Sequence, residues 1–169
     1  MTNQFKENVR LKLIVAAQSY FLLMNKNILL KSKQFANRKV YKLAFTKYNF
    51  LHLSGVLTNL DCGTFFEKCF NGTLECDDFT YDEFKNKNMV KSKIKHLIHI
   101  GSFFNSNVFV QEDFVKNTIV CEIGTSNGVC TLGFTGGKGK LFPKTLLDNN
   151  RLNNEKCIIQ VVPIVKNIY

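Results

Sequence analysis

The hydrophobic pattern of this chain changes period between its first and last thirds, and that change limits the fold more than any other feature. From Thr2 to about Asn25, the residues Phe5, Val9, Leu13, Ala16, Ala17, Tyr20, Leu23 and Met24 recur at threes and fours, with Lys6, Glu7, Arg10 and Lys12 between them. That spacing predicts an amphipathic helix. From Val108 onward the period falls to two, and short runs at 108–110, 119–124, 129–135, 140–142 and 157–165 read as strands joined by glycine turns at 126–128 and 136–139. A helical start followed by a run of strands predicts an α+β fold, with the N-terminal helix and one or two further helices packed on one face of an antiparallel sheet.

Between these thirds the signals alternate. Residues 28–31 and 40–45 are candidate strands flanking a polar, basic connection at 33–39. Asp61 is a plausible N-cap for a helix over 62–70 that stops at Asn71-Gly72. A longer helix is expected over 89–104, with Val90, Ile94, Leu97, Ile98 and Ile100 on its apolar side. An Asn-Gly loop near Asn127 would pair Thr125 with Cys130 and Cys121 with Phe134. A four-residue loop at 136–139 would set Thr135 opposite Lys140 and Gly133 opposite Phe142. In that register Cys121, Ile123, Cys130, Leu132, Phe134 and Leu141 share a core face. Glu122, Thr131, Thr135 and Lys140 share the other, which reads as a cleft floor.

The 169 residues, 45% apolar with 16 Phe, suffice for one core, and no proline- or serine-rich linker divides them. A single domain over 1–169 is expected, with the first helix and strands in 1–45 and the remaining elements in 46–169. The 23 Lys and Arg against 13 Asp and Glu give a formal charge of +10, which attracts polyanions, nucleic acid first among them. Six cysteines lack any C-x-x-C spacing and read as free thiols in a reducing compartment. The longest apolar run near the start, Leu13 to Ala17, is far short of the ~18 residues of a membrane span. The expectation is a cytoplasmic protein without membrane attachment.

The candidate site is the octapeptide Tyr48-Asn49-Phe50-Leu51-His52-Leu53-Ser54-Gly55. Read as a strand, it projects Phe50, His52 and Ser54 to one face and Leu51 and Leu53 to the other. A core histidine is the competing reading. His96 and His99 are three apart on the expected long helix, yet no third ligand stands at a recognisable spacing, so no metal site and no cofactor are assigned. The Gly136-x-x-Gly139 loop lacks the spacing of a phosphate-binding P-loop and reads as a hairpin whose Lys138 and Lys140 reach a nucleic-acid backbone.

Several blocks taken together carry a resemblance. Phe50-Leu51-His52-Leu53-Ser54-Gly55-Val56, Phe65-Phe66-Glu67-Lys68-Cys69 with Gly72, Lys93-Ile94, Leu132-Gly133-Phe134, and Phe142-Pro143-Lys144-Thr145-Leu146-Leu147 occur in this order. The combination resembles the fourth phage subgroup of the barnase, EndoU, colicin-type and RelE-like (BECR) nucleases. That resemblance implies a helix-then-antiparallel-sheet domain with its cleft on the exposed sheet face, and it brings in Lys93 as a substrate-binding residue.

Metal-independent RNA cleavage needs a base for the 2′-OH proton, an acid for the leaving 5′ oxygen, and cations or donors for the phosphorane. The candidates for these roles are His52, Ser54, Lys140 and Thr145. Thr145 also reads as a helix N-cap ahead of Leu146 and Leu147. Lys93, Thr131, Thr135, Lys138 and Lys144 are the candidate substrate contacts. The expected activity is that of an endoribonuclease leaving 2′,3′-cyclic phosphate ends, a phage or mobile-element toxin or interference protein. Its expected partners are RNA and a neutralising antitoxin or inhibitor. The alternative is a non-catalytic RNA- or protein-binding module on the same scaffold.

Overall fold

The computed structural model describes residues 3–168. They are α+β and fall into two compact units, one formed by the chain through Met24 and Thr46–Gly101, the other by Asn25–Phe45 and the chain from Ser102 onward.

The first unit is helical. Helix α1 (Gln4–Met24) buries Val9, Leu13, Ala16, Ala17, Tyr20 and Leu23, the stripe its spacing predicts, and packs on α3 (Cys62–Phe70) and α4 (Lys87–Leu97). Asp61 caps α3 as expected, its carboxylate accepting from the Thr64 amide at 2.9 Å. The expected helix over 89–104 stops early. After Leu97 the chain tightens into a turn at Ile100–Ser102, and the Gly101 amide donates to Ser19 Oγ at 2.8 Å. A Cβ on Gly101 would lie 2.6 Å from the Ser19 carbonyl oxygen, so this close approach demands glycine.

The octapeptide is not a strand. Phe50–Ser54 forms a short helix, α2, closed by Gly55 in the left-handed region at φ 76°. Its inward positions are therefore Phe50, Leu53 and Ser54, at helical spacing, and His52 faces solvent. Phe50 lies edge-on to Tyr20 and Phe66, with ring centroids 5.3 Å away in both cases. Local alternation in so short a stretch gave the wrong period because the large aromatic anchors one helical turn.

The second unit holds two antiparallel sheets. Strand β1 (Lys26–Lys31) lies between β2 (Val40–Ala44) and β8 (Ile164–Asn167). The other sheet has the order β6-β5-β4-β3-β7, from β3 (Val108–Lys116), β4 (Ile119–Ser126), β5 (Cys130–Thr135), β6 (Phe142–Asp148) and β7 (Ile159–Val161). Leu43 and Leu141 join the two sheets by a parallel bridge.

Both hairpin registers differ from expectation. The β4–β5 turn sits one residue later, at Gly128-Val129, because Asn127 Oδ1 accepts from the Val129 and Cys130 amides while Gly128 takes φ 90°. Thr125 thus pairs with Leu132 and Ile123 with Phe134. Across β5–β6, Thr135 pairs with Phe142 and Gly133 with Thr145, a bulge leaving Lys144 as the extra residue.

Cys121 is also on a different face from Ile123. Gly124 and Gly133 are paired, and Cβ atoms on them would lie 2.6 Å from Phe114 Cγ and 2.6 Å from Cys121 Sγ. Phe114 and Cys121 therefore belong to the glycine face, where they pack with Leu152. Asp113, at φ 53°, breaks the alternation of β3 just before Phe114. The opposite face carries Phe134, whose ring meets that of Phe45 edge-on at 5.7 Å.

The glycine face is covered rather than open. After β6 the chain returns across it: the Arg151 amide donates to Thr131 Oγ1 at 2.9 Å, the Asn153 amide donates to Gln111 Oε1 at 2.6 Å, and Leu152 fills the space over Gly124. The expected cleft floor at Thr131 is an interior surface.

Candidate nucleic-acid interface

Part of the sheet unit's positive charge gathers in one depression. Arg38 and Lys39 just before β2 and Lys42 within it, with Lys138 and Lys140 from the glycine loop, line an open depression of about 760 Å³ completed by Leu29, Asn37, Val40 and Gly139. A second depression, lined by Lys31, Ser32, Lys33 and Phe35, shares Lys39 and Val40 with it. No carboxylate lines either one.

Two glutamates hold this surface from beneath. The Glu112 carboxylate accepts from the amides of Ala36 and Asn37 at 2.7 and 2.9 Å and from the Tyr41 hydroxyl. Burial, followed by this bond to Glu112, raises the Tyr41 pKa above its ordinary value, so the phenol stays a donor. Glu122 accepts from the amides of Gly136 and Gly137 at 2.9 and 2.8 Å. Arg38 ties the two loops together, donating to the Gly137 carbonyl at 2.8 Å while its guanidinium lies 4.9 Å from the Tyr41 ring centroid. Each carboxylate thus neutralises backbone dipoles on the inner side of a loop whose lysines point outward.

The sequence-derived candidates divide between the two units. Lys138 and Lys140 stand together in the groove, exposed. Lys144, exposed at the bulge, donates to the Val120 carbonyl at 3.2 Å, and Thr135 is half-buried at the end of β5. Thr145 is neither in a turn nor at a helix start; it is buried in mid-strand, its methyl against Gly133. Thr131 is fully buried, its hydroxyl donating to the Asn149 carbonyl at 2.8 Å.

His52, Ser54 and Lys93 belong to the helical unit. Ser54 does not share a face with His52: it is fully buried, its hydroxyl donating to the Leu51 carbonyl at 2.6 Å and accepting from the Val56 amide at 3.3 Å. That is a local cap, with no lone hydroxyl left to grip a phosphate. Lys93 crosses Gly55 so closely that a Cβ there would lie 2.9 Å from Lys93 Cδ. Burial lowers the Lys93 pKa to about 8. The glycine of the H-L-S-G block thus closes α2 and makes room for the lysine stem.

His96 is buried whereas His99 is exposed, and among the described residues no group of three or more His, Cys, Asp or Glu is placed to hold a metal ion. All six cysteines are free thiols. The sequence reading missed Arg38, Lys39 and Lys42 as site residues. Their signal was the density of cations from Lys31 to Lys42, which was read only as a connection.

The sheet unit presents a cationic groove and the helical unit presents an exposed histidine, side chains whose charge and chemistry suit a phosphate-bearing ligand. More particularly, the chain belongs to the family described as phage-Barnase-EndoU-ColicinE5/D-RelE like nuclease 4, whose model matches residues 12–169. No curated protein and no solved structure matches it. Among the described residues, no helix is long and apolar enough to cross a membrane.

Proposed function

We propose that this nuclease is an endoribonuclease that cleaves by transesterification without a metal ion and serves a phage or other mobile element as a toxin or interference protein. The carrying observation is the groove, where five cations and no carboxylate line one depression formed by β2 and by loops that Glu112 and Glu122 hold. Such a surface suits phosphates and leaves sequence unread.

The reaction moves one proton off and one on. A base takes the 2′-OH proton, the oxygen attacks phosphorus, the bond to the 5′ oxygen breaks, and an acid protonates that oxygen. The products are a 2′,3′-cyclic phosphate and a 5′-OH. An imidazole ordinarily titrates near neutrality and can serve as either base or acid, and His52 is the exposed imidazole on the family's H-L-S-G block. Lys140 and Lys138, on the sheet unit, hold phosphate oxygens of the bound RNA backbone. Thr135, Lys144 and Lys93 remain candidate contacts. We assign the hydroxyls of Ser54 and Thr131, and the buried Thr145, to packing.

The burial of those hydroxyls favours a second reading, a non-catalytic module that grasps RNA or an acidic protein surface. One experiment separates the two: total RNA incubated with purified protein in excess chelator. The expected outcome is cleavage to 2′,3′-cyclic phosphate ends by the wild type and a loss of at least about 100-fold in His52→Ala. Strict dependence on Mg²⁺ sinks the metal-free mechanism, and RNA that is bound but left intact selects the module.

A further inference from the structure

We infer that the two adjoining depressions form one track for the sugar–phosphate backbone of double-helical RNA, read without base contacts. The inference rests on the ribonuclease reading above and deepens it.

Three observations carry it. Proteins that hold single strands pair a basic groove with exposed rings on which bases stack. Here the one ring in the lining, Phe35, is buried and packed edge-on against Tyr41, with centroids 5.0 Å apart. Two uncharged polar side chains, Asn37 and Ser32, line the track, and each has one of its hydrogen-bonding groups held within the protein. Asn37 Nδ2 donates to Asp113 Oδ2 at 3.0 Å, and Ser32 Oγ accepts from the Gln34 amide at 3.0 Å. The rest of the polar lining is cationic: exposed Lys39, Lys138 and Lys140 with half-buried Lys42 and the partly engaged Arg38, then Lys31 and Lys33 past the shared Lys39.

The track is also stiff. Glu112 fixes the 36–37 backbone, Glu122 fixes the 136–137 backbone, and Arg38 bonds one loop to the other. A fixed array of point charges matches a ligand whose phosphates are themselves fixed in space. A duplex offers that, and its A-form major groove is too deep and narrow for side chains to read. A flexible single strand would have to be ordered on a surface that gives its bases nothing in return.

The test measures binding of the full-length protein to three labelled 2′-O-methyl RNAs, which resist transesterification: two duplexes of unrelated sequence and an unstructured oligouridylate of equal length. The two duplexes should bind within about twofold of each other and about tenfold more tightly than the single strand. The double variant Lys42→Gln, Lys140→Gln should weaken both duplexes by the same factor with an unchanged melting temperature. Tighter binding to the single strand, or a difference of about tenfold or more between the duplexes, overturns the inference and leaves the ribonuclease reading intact. Failure to bind any of the three overturns both.

Discussion

His52 and Leu53 are neighbours in sequence and opposites in environment. Leu53 is fully buried on the inner side of α2, and His52 is exposed on the outer side. Leu53→Ala should therefore cost about 2–5 kcal/mol through the cavity it leaves. Ser54→Ala should cost about 1–3 kcal/mol, since the Val56 amide loses its acceptor. His52→Ala should stay within ~0.5 kcal/mol. Urea unfolding of the three variants checks this order, and a His52→Ala protein that melts early would mean that the imidazole is a core residue. Lys93 gives a pH signature. Burial holds it at about 8 in the folded chain, whereas an unfolded lysine titrates near ~10.4. Between these values the unfolded state binds more protons, so this residue makes stability rise with pH across that window. Relative to Lys93→Met, the wild type should gain stability as pH climbs from about 7.5 to about 10. A difference that does not change with pH would show that the lysine stays solvated in solution.

At the scale of elements, α1 and α3 were legible in the sequence, whereas the end of α4 and the short octapeptide were not. Helix α1 shows its inward stripe over several turns, and α3 carries its own start and stop signals, so both lie where the sequence puts them. The octapeptide is too short for its period to be read, and its helix is decided by Phe50 seating against Tyr20 and Phe66. The strands of the second unit were recognisable, but their registers were not, because the Asn127 side chain places one turn and the Lys144 bulge displaces the other. Lys138 and Lys140 could be proposed from the glycine loop alone. Arg38, Lys39 and Lys42 reach the same groove only through the pairing of Leu43 with Leu141, which sequence spacing does not encode. The glycines of the sheet give a test at this scale. A Cβ at Gly133 would meet Cys121 Sγ at 2.6 Å and Thr145 Cγ2 at 2.9 Å inside a covered face. Gly133→Ala should lower stability by about 1–3 kcal/mol through overpacking, measured by chemical denaturation. An unaffected midpoint would mean that this face is as open as the sequence alone suggested.

For the whole molecule, a net charge of +10 has two different consequences according to where it lies. Charge spread evenly accelerates encounters with any polyanion but neutralises few phosphates at once. Charge gathered in one groove neutralises several together, and the counterions they displace make affinity steeply salt-dependent. The five cations of the groove, each taking one phosphate, would give a slope of log K against log salt of about −4.5 on a duplex. Lys138→Ala combined with Lys140→Ala removes two of them, both exposed and both on a loop whose backbone is anchored separately by Glu122. The loop should keep its shape in that variant, and the slope should become shallower by about 1.8. Titrations of a non-cleavable RNA at several salt concentrations read this directly. If the slope of the variant matches that of the wild type, these lysines touch no phosphate, the nucleic-acid footprint lies elsewhere on the protein, and the module that grasps an acidic protein surface becomes the better account of the groove.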